Sequence, residues 1–131
     1  MNIDLHSHFF PVEALQNPGK YESHAPKLVL ENNKLSVTSQ IGARTGLGVG
    51  AYDPAARIKA LDEMSIDIQV ISPSPILLFY WEEPDVAAHF SRKQNAAIQA
   101  VVQTHPDRFV GFGSVPLQSV VDSIAIAEEA K

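Results

Sequence analysis

The chain has 131 residues, 45% of them hydrophobic and 19% charged, which suffices for one domain with its own core and argues against extended disorder. Its net charge is -5 and its ten Lys and Arg are scattered, so there is neither a basic stripe for nucleic acid nor a polybasic membrane patch. No cysteine is present, which excludes disulfides and thiolate metal sites and leaves histidine and carboxylate as the only donors for a transition metal.

The N-terminus lacks a basic segment followed by an apolar run, and no apolar stretch reaches the ~18 residues of a membrane span. A cytoplasmic protein is expected. In the opening MNIDLHSHFFP, Ile3, Asp4 and Leu5 predict a short strand that runs into His6-Ser7-His8. Residues i and i+2 of a strand share a face, so the two imidazoles project together and form half of a metal site, with Zn–N bonds of ~2.1 Å as the expected geometry. The plain alternative is two surface histidines at a strand end.

Pro11 ends that run. Residues 12–52 form an insertion in which Lys27 to Glu31 and Lys34 to Ser39 predict a hairpin turning at Asn32-Asn33, a pair that tolerates positive φ. The following TGLGVG lacks the lysine of a phosphate-binding loop and is read as a mobile loop. His24, in this insertion, is carried as a further candidate ligand.

Asp53-Pro54 predicts a helix N-terminus, with Asp53 as cap and Ile58, Leu61 and Met64 on one apolar face. Ile66 to Ile71 predicts a buried parallel strand that stops at the Ser72-Pro73-Ser74-Pro75 run. Ile76 to Trp81, ILLFYW, is read either as core or as the apolar wall of a pocket, in which Phe79, Tyr80 and Trp81 face a ligand. Pro84 to about Thr104 predicts a long helix, with His89 at an exposed or core-edge position and His105-Pro106 as its end. Arg108 to Ser114 predicts a third strand, and Ser119 caps a last helix running to Lys131 with Val120, Ile124 and Ala127 on one face. Alternation of strand and helix predicts an α/β fold with a parallel sheet, whose chemistry gathers at the strand C-terminal ends, where His6, His8, Ser72 and Ser114 fall.

Several stretches together resemble one family: MNIDLHSHFFP, D-P-x-x-R-I-x-x-L-D-E-M from Asp53 to Met64, the F-Y-W run, the helix containing Asn95, and H-P-D-R-F-V-G-F-G-S-V-P-L-Q from His105 to Gln118. They are similar, in order, to the amidohydrolase-related family (amidohydrolase 2). The resemblance implies a metal-dependent (β/α)8 TIM barrel, of which residues 1–131 are the N-terminal three βα units with a small hairpin insertion after strand 1. It also implies nonoxidative decarboxylation of an unsaturated or aromatic carboxylic acid, with hydrolase and hydratase activities on the same scaffold as alternatives and a noncatalytic fragment as a third.

Zinc, or another divalent transition metal, is the implied cofactor, with His6 and His8 as two of its ligands. Asp4 is expected to orient the strand end from behind them. The family's later ligands and its catalytic histidine match no position here. A full barrel takes about 250 residues, so the chain resembles the first part of the enzyme, and either a second copy or the missing part of the barrel is expected to cover its open surfaces. Arg44 is the candidate partner for a substrate carboxylate, because a planar guanidinium binds one bidentately.

Overall fold

In the computed structural model, which describes residues 1–130, the chain builds two three-stranded sheets. One is parallel, from Ile3–Phe9 (β1), Ile68–Pro73 (β5) and Phe109–Gly111 (β6) in the order β1-β5-β6. The other is antiparallel, from Lys27–Glu31 (β2), Lys34–Ser39 (β3) and Gly42–Leu47 (β4). Four α-helices complete the fold: Val12–Gln16 (α1), Pro54–Glu63 (α2), Pro84–Thr104 (α3) and Val120–Glu129 (α4). The expected extension of the last helix to Lys131 lies outside the described residues.

In the parallel sheet each crossover, α2 and then α3, lays the next strand beside the previous one in one constant direction. That single winding is how a barrel begins, whereas a doubly wound sheet reverses direction at a switch point. Asp53 caps α2 by accepting the Ala56 N–H at 2.9 Å, and Pro54 takes the first turn, where its missing N–H has no consequence. The β5 strand is displaced from its predicted span. Ile66 N–H closes the end of α2 on the Leu61 carbonyl at 2.9 Å, while Ser72 and Pro73 remain in the ladder opposite His8 and Phe9. Proline removes a donor but keeps its carbonyl, so it ends the strand without ending the pairing that precedes it.

The glycine-rich run is a strand over Gly42–Leu47 and a 3-10 turn over Val49–Ala51 rather than a mobile loop. The free edge of β3 offers backbone partners that β4 satisfies. An extra residue is absorbed between Leu35–Leu47 and Val37–Arg44, next to Gly46 at φ 67, the geometry of a glycine bulge. At the turn between β2 and β3, Asn32 and Asn33 have φ of 50 and 61.

Two cores result. Phe9, Leu61, Ile71, Ile98 and Phe109 pack between the parallel sheet and its helices. Gly111 allows the close approach of α3 there, since a Cβ at that position would lie 2.7 Å from Ile98 Cγ2. Leu35, Val37, Ile76, Leu77, Phe79 and Phe90 join the antiparallel sheet to the start of α3, so most of ILLFYW is core. The other face of the parallel sheet is open: Ile3, Leu5, Val110 and Phe112 are exposed, Leu5 at 72%. On α4 the buried residue is Ile126, turned toward α3, whereas Val120, Val121 and Ile124 face outward. The predicted Val120–Ile124 face is therefore not the packed one, because a helix apolar on two sides buries the side its neighbour reaches.

Candidate metal centre at the end of the first strand

The β1–β5 ladder slips by one residue between Asp4 and Ser7. Asp4 and Ser7 both end up on the helix side of the sheet, and both belong to one polar network. Asp4 Oδ1 accepts the backbone N–H of His6 at 3.1 Å, and its Oδ2 accepts Gln69 Nε2 at 2.7 Å. Those two bonds, Gln69 foremost, hold the Asp4 carboxyl below its ordinary pKa. Asp4 thus orients the backbone of the first histidine and points away from the imidazoles.

His6 and His8 lie side by side, ring centroids 5.0 Å apart and nearly perpendicular. His6 is exposed and His8 is half-buried. Burial lowers the His8 pKa, and the neighbouring charges of His6, Arg44 and Arg57 push in the same direction. The neutral ring that a metal requires is the favoured form. His8 Nδ1 lies 3.2 Å from Ser72 Oγ, whose hydroxyl donates to the Ser7 carbonyl at 3.1 Å. Among the described residues no set of three or more His, Cys, Asp or Glu converges. The imidazole pair therefore fits a metal as two of its donors.

Arg57 is the residue that sequence reasoning missed. From α2 its Nη2 donates to the His8 carbonyl at 2.7 Å, its Nη1 to Ser7 Oγ at 2.7 Å and Gln69 Oε1 at 3.0 Å, and its Nε to the Gly50 carbonyl at 2.6 Å. Burial lowers its pKa to about 10, partly offset by Asp4. The guanidinium remains charged at neutral pH and ties the insertion, β5 and α2 to the end of β1 that carries the histidines. One signal was available: Arg57 stands one helical turn before the fully buried Leu61, and a cation on a buried helix face demands partners.

Arg44 is exposed on β4, opposite Val37, and its charge is felt at His8. The three aromatics separate. Phe79 is 1% exposed and stacks on Phe90 with centroids 4.2 Å apart, so it offers a ligand no surface. Its φ of 56 is uncommon for a bulky residue; it turns the chain so that Tyr80 is exposed and Trp81 half-buried. Trp81 borders a cleft with His24, Lys27 and Thr38, and neither His6 nor His8 contributes to it. His24 Nδ1 is engaged by Glu82 Oε2 at 2.7 Å, and His89 packs against the Tyr21 ring. Neither joins the imidazole pair.

No family model matches the chain. It is 30% identical over 129 residues to the 2-amino-3-carboxymuconate-6-semialdehyde decarboxylase of Dictyostelium discoideum, an alignment covering 95% of this chain and 35% of that protein. Among solved structures, the IDCase of Metarhizium anisopliae superposes with a TM-score of 0.73 at 16% identity, over 98% of this chain and 39% of that one. The 2,6-dihydroxybenzoate decarboxylase from Rhizobium does so with 0.64 at 22% identity, over 98% and 35%. The chain spans about a third of the length of the curated relatives it matches. Along nearly all of its length it resembles the N-terminal portion of the amidohydrolase-related decarboxylases, with 2-amino-3-carboxymuconate-6-semialdehyde decarboxylase as the named relative.

Proposed function

We propose that these residues are the first three βα units of a metal-dependent (β/α)8 enzyme that removes CO2 from an unsaturated or aromatic carboxylic acid. The observation that carries the proposal is the imidazole pair at the end of β1, braced from behind by Asp4, Gln69 and Arg57. The names of the relatives support decarboxylation. His6 and His8 supply two ligands, and the remaining donors and the catalytic groups are assigned to polypeptide outside these residues. The open face of the parallel sheet is assigned to that same polypeptide or to a second copy of the chain. A cysteine-free composition accords with a reducing cytoplasm.

A bound divalent metal, Zn2+ first among candidates, supplies Lewis-acid polarisation of a substrate oxygen. Arg44, whose hydrogen-bond partner among the described residues is its neighbour's carbonyl, takes the substrate carboxylate. Trp81, stacked on the buried Phe79 with ring centroids 5.6 Å apart, and the exposed Tyr80 are assigned the role of aromatic surface for a conjugated acid. Cleavage of the C–CO2 bond leaves its electron pair on the conjugated carbon, which then takes a proton, and a dry surrounding favours that delocalised charge over the localised carboxylate.

The test has two arms. The purified chain should bind Zn2+ at least about 10-fold more tightly than its His6→Ala/His8→Ala variant; equal affinities remove the metal site. With the later barrel segment of a relative supplied in trans, CO2 should be released from carboxymuconate-like or hydroxybenzoic acids. Turnover of lactones or amides without CO2 would replace decarboxylase with hydrolase.

A further inference from the structure

We propose that Ser72 is a positioning residue that sets the tautomer of His8, holding the proton on Nδ1 and leaving Nε2 as the free donor. A hydroxyl carries one hydrogen. Ser72 spends it on the Ser7 carbonyl, 3.1 Å away in the adjacent strand, so toward His8 Nδ1 at 3.2 Å it has only lone pairs to offer. A contact between an acceptor and a ring nitrogen is a hydrogen bond only if that nitrogen bears the proton. The Ser72 hydroxyl oxygen therefore defines one edge of the imidazole as its donating edge.

The arrangement follows from register. His8 and Ser72 are Cα partners in the parallel ladder, which puts their side chains on the same face and the hydroxyl in reach of the ring. The consequence rests on the metal site proposed above: metal-ligating histidines commonly donate their second N–H to a protein oxygen that fixes ring orientation and raises basicity. Here that oxygen comes from a serine hydroxyl, itself anchored to the residue between the two ligands.

The tautomer is read directly in the 15N-histidine-labelled, metal-free chain by long-range 1H–15N correlation near pH 8, where the ring is neutral. Wild-type His8 should show the Nδ1–H pattern. Ser72→Ala should move it toward the Nε2–H form that free imidazole favours, and should weaken Zn2+ binding by about 10-fold to 100-fold. Ser72→Thr, which keeps the hydroxyl, should restore both. An Nε2–H pattern in the wild-type chain overturns the proposal without needing any variant, as does an unchanged tautomer in a folded Ser72→Ala protein. A wild-type chain that shows Nδ1–H yet does not bind Zn2+ upholds the tautomer and counts instead against the metal site.

Discussion

The two sheets of this molecule are finished to different degrees. The antiparallel sheet of the insertion has its apolar face closed, with Leu35 and Val37 at 0% exposure against the Phe79–Phe90 stack. The parallel sheet is covered on the helix side, while Leu5 and Phe112 stand in solvent on the other. Yet the candidate ligands belong to the open sheet, and what holds them is polar: an arginine, a glutamine and an aspartate rather than packed hydrocarbon. A strand whose outer face is exposed must be kept in register from its back, which is what the Arg57 network does.

Substitutions can break this contrast, beginning with the closed half. Phe90→Ala removes a fully buried ring from the insertion core and should cost roughly 4 kcal/mol in denaturant unfolding, with little change in the His6 and His8 resonances if the two regions are as separate as their cores. Arg57→Ala strips the polar brace and should cost about 3 kcal/mol, because it leaves buried acceptors unpaired. Unlike Phe90→Ala, it should also broaden or shift the His8 signals, and Arg57→Lys, with the charge but not the fork, should recover only part of the loss.

Acid should reach the open sheet in two steps. His8 has a folded pKa below its ordinary 6.5, so the unfolded chain takes up that proton first and stability falls as pH drops below about 6.5, with no change above it. Asp4 has a folded pKa below 3.8, so its contribution is present above that value and is lost as pH falls through the folded one. Melting temperatures across this range should lose the upper step in His8→Gln and the lower one in Asp4→Asn. The smallest effect is expected on the open face: Leu5→Ser should change unfolding free energy by no more than about 0.5 kcal/mol while reducing self-association in sedimentation velocity. A loss as large as that of Phe90→Ala would mean that the face is already covered.

Local rules carried much of this structure. The Asp53-Pro54 start of α2 and the Pro84 start of α3 come from capping and φ restrictions that act within a few residues. The i, i+2 spacing of His6 and His8 needs only strand geometry. Where nonlocal partners decide, those rules fall short. The run from Gly42 to Leu47 is glycine-rich and polar, and only the vacant edge of β3 makes it a strand. ILLFYW could wall a pocket or fill a core, and burial settled that for Ile76, Leu77 and Phe79.

The sequence by itself determined that any metal here must be held by histidine and carboxylate, that two histidines are presented together by a strand end, and that the chain alternates between strands and helices. Tertiary structure alone decided which residues join Asp4 behind those histidines. Asp4, Arg57, Gln69 and Ser72 lie up to 68 positions apart in numbering, and no periodicity relates them. They meet because a one-residue slip in β1 turns Asp4 and Ser7 toward α2, where a half-buried guanidinium takes up the acceptors within its reach.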